Sequence, residues 1–373
     1  MNILLIDDKA HEGWKQVLEK TLPIKDLSID TAISYQEASK KIQTSYDFIF
    51  LDVRLDEKDH TRHIVTEFSG YKILKTIRET FLSINFSTPI ILFTASNKIW
   101  NIDSFKAYGV DSYYIKEHPD FVFDIETSRQ NLKNLQLSFE DLLYEGVKRK
   151  QIWKQSSDII KILSEHHYFQ GDKRYVNVKN RIIDKLKLGY TYLFRKQTLL
   201  EKELLKTNNE TLAFIIYWSI LEEIVKGFSD ISATWERNER KEEWQFRNKE
   251  YFIERKGNQS FTINYYFDYQ TRKRLKNTTI TKENLDRRFG NVINLSDQVY
   301  SLLYAYSTPD EFNKLSEEFR KLNKSRNEID FIHSSINNIF HNELIRVKDL
   351  ERMYKMNEKV LEFILNVCKL IEK

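Results

Sequence analysis

The chain has few of the residues that interrupt regular structure. It contains nine glycines and four prolines among 373 residues, where average usage would give about 26 glycines and roughly 19 prolines. No two glycines lie close enough to build the glycine-rich loop of a P-loop or Rossmann nucleotide site, so both kinds of site are excluded. Long all-β architectures, which use glycine and proline in their turns, are disfavoured. We therefore expect a mostly helical chain outside any compact α/β part.

Cysteines and long apolar runs are also scarce. Cys368 is the single cysteine, which excludes a disulfide framework and a zinc site built from several thiolates. No run of 18 apolar residues exists, and the best stretch, 212–221, is followed directly by two glutamates. The N-terminus reaches Asp7 and Asp8 after only a short apolar run, unlike a signal peptide. These features predict a soluble, cytoplasmic protein with no membrane partner.

Charge is distributed unevenly along the chain. Residues 1–150 carry 20 basic and 23 acidic side chains, whereas residues 151–373 carry 39 basic and 32 acidic ones. A basic, aromatic-rich half is compatible with a polyanionic partner such as RNA. Solvated helices with scattered lysines would give the same totals, and on charge alone they are the more frequent explanation.

Short apolar runs alternate with helical patterns over the first 115 residues. The runs are 2–6, 27–32, 48–51, 90–93 and 110–115. This alternation predicts an α/β fold with a doubly wound, five-stranded parallel sheet covered on both faces. Ligands of such sheets bind at the carboxyl ends of the strands. The polar residues expected there are Asp7, Asp8, Asp52, Thr94 and Lys116.

Carboxylates, a hydroxyl and a lysine at one sheet edge suit phosphoryl chemistry. Three carboxylates repel one another unless a hard cation lies among them, and Mg²⁺ prefers oxygen ligands. A carboxylate can act as a nucleophile and form an aspartyl phosphate. Mg²⁺ and a lysine ammonium would neutralise charge on the phosphoryl group during transfer.

The first ~120 positions resemble a response-regulator receiver domain, which has a flavodoxin-like fold. The resemblance implies that Asp52 is the phosphoacceptor and that a histidine kinase or phosphotransfer protein is the partner. It implies that Mg²⁺ is held by Asp7, Asp8, Asp52 and the backbone carbonyl of Arg54. The residues expected to bind the phosphoryl group or to switch are Lys116, Thr94 and Tyr113. A flavodoxin-like fold with incidental polar residues at its strand ends is the alternative.

The sequence departs from the receiver pattern at two places. The family usually has proline directly after the lysine, but here two residues separate Lys116 from Pro119. The loop 53–70 is longer than usual, and it contains His60 and His63. An H-x-x-H pair can bind a metal, but without further ligands nearby a solvated loop is the favoured interpretation.

Helical patterns dominate the rest of the chain. Apolar spacing predicts a fifth receiver helix that begins near Pro119 and continues to about Gly146. No Ser/Gly/Pro-rich linker follows, so a stiff helical connection is expected. The predicted division is a receiver domain (1–146), connecting helices (147–207) and a mostly α-helical output domain (208–373). A small β insertion with the character of a hairpin is expected within 239–288.

Polar residues lie on two apolar helical segments of the output domain. Glu222 and Lys226 are four residues apart on the first, where an ordinary helix salt bridge is the favoured interpretation. Arg326 and His333 are seven residues apart on the second, on one stripe of a helix, and Asn327 follows the arginine. No helix-turn-helix pattern is present, so DNA is not an expected partner.

The second segment resembles the signature of HEPN ribonucleases, which are helical and pair their motifs across a dimer. The resemblance implies a metal-independent RNA endonuclease, working as a homodimer, with no cofactor at its site. It implies that Arg326 and His333 are catalytic and that Asn327, Glu222 and Lys226 support them. Phosphorylation would then gate RNA cleavage, in a stress or phage-defence role. A chance Arg–His pair, and a receiver fused to a non-catalytic adaptor that binds protein or RNA, are the alternatives.

Overall fold

The chain forms two compact units, Met1–Trp153 and Lys154–Lys373. The computed structural model describes residues 1–95, 99–116, 125–166, 170, 173–194, 209–231, 244–246, 251–255, 260–264, 266–268, 273–276, 278–281, 283–284, 295–338 and 347–372. The finer division at residues 146 and 207 stays a prediction.

A five-stranded parallel sheet forms the centre of the first unit. Its strands in spatial order are β2-β1-β3-β4-β5, the order of flavodoxin-like folds. Their bounds are β1 Asn2–Ile6, β2 Ser28–Ala32, β3 Phe48–Leu51, β4 Ile90–Thr94 and β5 Ser112–Ile115. The central strands are buried on both faces, which is why their sequences are apolar throughout. The predicted α/β sheet is confirmed.

Five helices accompany this sheet. They are α1 Lys15–Thr21, α2 Tyr35–Lys41, α3 Ser69–Glu79, α4 Ile99–Ala107 and α5 Ile125–Glu165. Successive side chains of β1 enter opposite cores: Leu4 packs in the core that includes Ile73, and Leu5 in the core that includes Phe139. The sheet is therefore packed on both faces, and only its edges can present polar groups.

Helix α1 is shorter than the amphipathic pattern from Ala10 to Thr21 predicts. Its first turn is replaced by an irregular turn, Ala10–Trp14, in which Gly13 has φ of +113°. A left-handed backbone of this kind is accessible to glycine at little cost. The glycine thus ends the irregular turn and lets the regular helix begin at Lys15.

Helix α5 does not end at Gly146 as expected but continues to Glu165. A Cβ built at Gly146 would lie 2.5 Å from Cγ of Pro89, so the glycine permits a close approach to the residue before β4. Three residues later, Arg149 forms an ion pair with Asp111. The glycine marks a contact and not a helix end. The expected start near Pro119 lies outside the described residues.

Five helices that begin after α5 are described in the second unit. They are α6 Lys173–Phe194, α7 Asn209–Phe228, α8 Leu295–Tyr306, α9 Pro309–Asn338 and α10 Val347–Glu372. Helix α7 packs against α6, α8 and α10, and Tyr217 at its centre is fully buried. Gly189 of α6 faces that ring, because a Cβ there would lie 2.3 Å from Cε1 of Tyr217. The mostly helical character expected for this part of the chain is confirmed.

The β insertion is larger than the expected hairpin. Its strands are β6 Ser229–Ile231, β7 Trp244–Phe246, β8 Tyr251–Arg255, β9 Ser260–Ile263, β10 Tyr266–Asp268, β11 Lys273–Leu275 and β12 Thr278–Thr281. Five of them form an antiparallel sheet in the order β12-β9-β8-β7-β6, and β10 pairs with β11. The sequence did not indicate this sheet because strands of three to five residues carry too few alternating positions.

No helix among the described residues is both long and apolar enough to span a bilayer.

Candidate functional site

Three carboxylates meet at the carboxyl edge of the parallel sheet. Asp7 and Asp8 follow β1, and Asp52 follows the neighbouring strand β3, whose last residues pair in register with those of β1. One oxygen from each carboxylate lies within 4.8 Å of the others. Asp7 is fully buried, Asp52 is 6% exposed and Asp8 is open to solvent. The cluster is therefore buried at Asp7 and Asp52 and reaches solvent at Asp8.

The side chain of Lys116 reaches the carboxylates from the end of the outermost strand. It follows β5, and its backbone N–H donates to the carbonyl of Thr94 at 2.7 Å. Its Nζ donates to Oδ2 of Asp7 at 2.8 Å and to Oδ2 of Asp52 at 2.5 Å. The ammonium also lies 5.4 Å from the ring centroid of Phe93. One buried cation thus ties together the ends of three strands.

The pocket carries more negative than positive charge. Burial raises the pKa of Asp52 to about 6, with Lys116 opposing this rise and Asp7 adding to it. Burial also raises the pKa of Asp8, and the Asp7 charge adds to it. Burial by itself lowers the pKa of Lys116, but Asp52 and Asp7 outweigh it and raise that pKa. A single ammonium leaves the carboxylates under-neutralised, and their oxygen donors suit Mg²⁺.

Asp52 is held by contacts on both of its oxygens. Oδ1 accepts a hydrogen bond from the backbone N–H of Val53 at 2.6 Å, and Oδ2 accepts from Lys116. Helix α3 begins beside it, since a Cβ at Gly70 would lie 2.0 Å from the Asp52 carbonyl oxygen. No larger residue fits there without moving the backbone. This close approach explains the glycine that ends the long loop.

The two predicted switch residues occupy different environments. Thr94 is the last residue of β4 and is 3% exposed. Tyr113 lies on β5, is 44% exposed, and has Nζ of Lys106 at 4.7 Å from its ring centroid. The structure therefore places Thr94 at the pocket edge beside Lys116 and leaves the Tyr113 ring turned outward.

The long loop 53–70 is built around a buried aspartate that the sequence reading overlooked. Asp59 is fully buried and accepts hydrogen bonds from the backbone N–H groups of Leu55 at 3.1 Å and Ser69 at 3.3 Å. It also accepts from the Ser69 hydroxyl and from Arg62. Although burial alone would raise its pKa, the bonds from Ser69 and Leu55 hold that pKa below its usual value. The D-x-x-D spacing of a capped turn was the available signal.

The two loop histidines do not belong to a metal site in the described structure. His60 and His63 are both exposed. Among the described residues, the group of three or more potential metal-binding side chains is the aspartate cluster of Asp7, Asp8 and Asp52. The favoured interpretation of the histidines as solvated residues agrees with this exposure.

In the helical unit, the predicted supporting pair is an exposed salt bridge. Nζ of Lys226 lies 2.7 Å from Oε1 of Glu222, and both side chains are about half exposed. The neighbouring Glu223 is buried and binds Arg181 at 2.8 Å and Lys185 at 2.9 Å, both from α6. The sequence pointed to the exposed carboxylate of Glu222 and not to the buried one of Glu223. The partners of Glu223 lie on another helix, so no spacing pattern within α7 reveals them.

The predicted catalytic pair lies on α9, which contains both positions. Arg326 is half-buried, with its guanidinium carbon 5.4 Å from the ring centroid of Trp218 on α7. Asn327 is exposed. The side chain of His333 lies outside the described residues. The contact of Arg326 with an aromatic face was not foreseen from the sequence.

No family model matches the chain, and no curated protein is significantly similar to it in sequence. Solved structures are similar over part of it. One is a CheY-like response regulator receiver domain protein from Methanospirillum hungatei, 19% identical, covering 39% of this chain and 96% of that one, with a TM-score of 0.29. Another is the receiver domain of Francisella response regulator 1452, which is 19% identical, covers 39% of this chain and 97% of that one, and has a TM-score of 0.28. A third is a two-component response regulator from Clostridium difficile, which is 27% identical, covers 36% of this chain and 98% of that one, and has a TM-score of 0.25.

Proposed function

We propose that the unit Met1–Trp153 is a receiver domain of a two-component response regulator, which accepts a phosphoryl group on Asp52. The observation that carries the proposal is the juxtaposition of Asp52 with Lys116, Asp7 and Asp8 at the carboxyl edge of the sheet. The donor would be a phosphohistidine of a kinase or phosphotransfer protein. A carboxylate oxygen of Asp52 attacks the phosphorus, the P–N bond breaks, and the donor imidazole leaves with the electron pair.

The pocket prepares Asp52 for this attack. Its pKa of about 6 leaves the carboxylate ionised at neutral pH, and the bonds from Val53 and Lys116 fix its orientation. Mg²⁺ would be held by Asp7, Asp8, Asp52 and the Arg54 carbonyl, and when bound it supplies positive charge to the transferring phosphoryl oxygens. Lys116 would add a second positive charge.

The switch would begin from the new phosphoryl oxygens. The hydroxyl of Thr94 would donate to one of them, and Lys116 would bind another. A shift of Thr94 toward the phosphoryl group would be followed by a rearrangement of the Tyr113 ring, which is 44% exposed. Phosphorylation would thereby alter the surface of β5 and α4.

The experiment uses a small phosphodonor, so that no kinase is needed. Wild-type protein incubated with phosphoramidate and Mg²⁺ should gain the mass of one phosphoryl group, and Asp52→Ala should not. Glu57→Gln, which removes an exposed carboxylate from the following loop, serves as the control and should label like wild type. Equal labelling of Asp52→Ala and wild type would refute the assignment.

For the helical unit we propose a metal-independent RNA endonuclease, acting as a homodimer and gated by phosphorylation of Asp52. It is supported by the spacing of Arg326 and His333, whose seven-residue separation on α9 corresponds to about 700° of rotation and one stripe. Arg326 would hold the scissile phosphate, and His333 would take the proton of the RNA 2′-hydroxyl. The 2′-oxygen then bonds to phosphorus and the P–O5′ bond breaks. The 5′-oxygen takes up a proton, which the protonated His333 or water would supply, so the products are a 2′,3′-cyclic phosphate and a 5′-hydroxyl.

The remaining predicted residues have smaller parts in this proposal. Asn327 is exposed next to Arg326 and can contact the phosphate backbone. Glu222 and Lys226 satisfy each other at the surface and act only on the stability of α7. Total RNA incubated with wild type, Arg326→Ala and His333→Ala tests the chemistry. Cleavage by wild type alone supports it, and equal results for all three would favour a non-catalytic adaptor.

A further inference from the structure

The peptide group between Arg54 and Leu55 is held in place by hydrogen bonds from its N–H group. The Leu55 N–H donates to Oγ of Ser69 at 2.8 Å and to Oδ2 of Asp59 at 3.1 Å. Both acceptors are buried, with Asp59 at 0% and Ser69 at 2% exposure. The Ser69 hydroxyl donates in turn to Asp59, so the two acceptors also hold each other. This one N–H group therefore has two fixed partners.

Fixing that N–H fixes the carbonyl of Arg54. The two groups belong to the same planar peptide unit, and the described backbone contains no cis peptide bond. In a trans peptide the C=O points opposite to the N–H. The Arg54 carbonyl is consequently directed away from Asp59 and Ser69, and none of the described residues donates a hydrogen bond to it. Among the described residues it is therefore an oriented acceptor without a hydrogen-bond donor.

We propose that Asp59 and Ser69 are positioning residues for the magnesium site, holding the Arg54 carbonyl in the orientation of a metal ligand. This inference rests on the proposed function of the receiver pocket. Asp59 and Ser69 bind no metal themselves. They act through the peptide, in the way that outer hydrogen bonds orient the ligands of other metal sites.

The length of the loop 53–70 explains why the Arg54 carbonyl needs hydrogen bonds of this kind to hold its orientation. Arg54 lies at its start and Ser69 at its end, so the carbonyl would otherwise sit at the base of a long excursion of the chain. Asp59, in the middle, accepts from Leu55, Asp56 and Ser69 and so joins the two ends. The contact of Gly70 with the Asp52 carbonyl ties the same end to the phosphoacceptor. The carboxylate of Asp59 thus holds the loop 53–70 beside the aspartate cluster.

The test measures Mg²⁺ binding directly on the full chain. Trp14 reports on the pocket, because its ring packs edge-on against Phe93 at 5.0 Å, and the Phe93 ring lies beside Lys116. The Mg²⁺ concentration at half-maximal change in tryptophan fluorescence is compared between wild type and variants. Asp59→Asn and Ser69→Ala should raise that concentration about tenfold or more.

Two control variants make the result decisive. Glu57→Gln removes one charge from the same turn, but its side chain is exposed, so it should bind Mg²⁺ like wild type. Asp8→Asn removes a proposed ligand and should lose binding. If Asp8→Asn loses binding while Asp59→Asn and Ser69→Ala keep wild-type affinity, the positioning role is refuted and the receiver proposal stands. If Asp8→Asn also binds normally, the metal site itself is wrong.

Loss of folding is distinguished from loss of positioning by a second measurement. Each variant's rate of labelling by phosphoramidate is recorded across Mg²⁺ concentrations. A positioning role predicts that saturating Mg²⁺ restores most of the wild-type rate to Ser69→Ala, with the half-saturating concentration raised. A rate that stays low at all Mg²⁺ concentrations with unchanged half-saturation contradicts the proposal.

Discussion

Gly146 and Pro89 are in direct contact, with room for a hydrogen atom on the glycine but not for a methyl group. A Cβ at Gly146 would lie 2.5 Å from Cγ and 3.0 Å from Cδ of the proline ring. Glycine in the middle of a helix costs about 1 kcal/mol relative to alanine. The chain accepts this cost because the close approach packs α5 against the start of β4.

We predict that Gly146→Ala destabilises the first unit despite the better helix propensity of alanine. The proline ring is rigid and cannot move aside, so overpacking should cost about 1–3 kcal/mol and exceed the propensity gain. Urea unfolding followed by circular dichroism measures the difference. Val147→Ala, an exposed neighbour on α5, should change stability little. Pro89→Ala combined with Gly146→Ala should recover part of the loss; simple additivity would contradict the contact.

The aspartate cluster predicts that Mg²⁺ stabilises the first unit. Asp7, Asp8 and Asp52 repel one another, and the ammonium of Lys116 offsets only part of their charge. A ligand that binds only the folded state, at a concentration one hundred times its Kd, raises the free energy of unfolding by about 2.7 kcal/mol. The thermal midpoint of unfolding should therefore rise with Mg²⁺ concentration in wild type and stay nearly flat in Asp8→Asn. A parallel rise in both proteins would place the ion elsewhere.

Removal of the lysine should make the folded pocket depend on the metal. Lys116→Ala leaves the buried carboxylates of Asp7 and Asp52 without their ammonium partner, and breaking a buried ion pair costs about 3–5 kcal/mol. The variant should be much less stable than wild type in chelator. Mg²⁺ should recover more stability in the variant than in wild type. Equal losses with and without Mg²⁺ would mean that the lysine acts through packing alone.

The buried carboxylate of α7 predicts how the helical unit responds to acid. Although burial by itself raises it, the bonds from Lys185 and Arg181 hold the pKa of Glu223 below its ordinary value. The folded state then binds this proton less tightly than the unfolded chain. The stability contributed by Glu223 is present above the unfolded pKa of about 4.5 and is lost as pH falls through the folded pKa.

Glu223→Gln should therefore lower stability at neutral pH and reduce the stability that is lost as pH falls from about 4.5 through the folded-state pKa. Unfolding by urea at a series of pH values checks both effects. Glu222→Gln is the matched control, because it changes the adjacent residue but affects only an exposed pair worth about 0.5 kcal/mol. Similar pH profiles for the two variants would contradict the distinct role of Glu223.

The sequence predicted the parallel sheet well, because buried parallel strands are continuous apolar runs with polar residues directly after them. The same rule selected Asp7, Asp8, Asp52 and Lys116, which the structure brings within contact of one another. It could not select Asp59, since burial of a loop carboxylate depends on Ser69 folding back over it. Hydropathy near a single residue carries no such information.

Contacts between distant segments explain the other differences. Gly146 has the local character of a helix end, and only its position against Pro89 reveals another purpose. Glu222 and Lys226 have the spacing of a pair and form one, yet the adjacent Glu223 has the more buried contacts. Sequence spacing reports neighbours within one helix, whereas these roles are set by a second helix or a strand.

The extension of α5 bears on how the protein can be divided. Arg149 is bound to Asp111, Lys150 lies 3.0 Å from Asp47, and the Trp153 indole donates to the Phe81 carbonyl at 2.6 Å. A fragment cut at residue 146 would lose all three of these contacts. The smallest piece expected to remain folded in isolation ends after Trp153, so any transfer of this unit onto another protein should include the last two helical turns, 147–153.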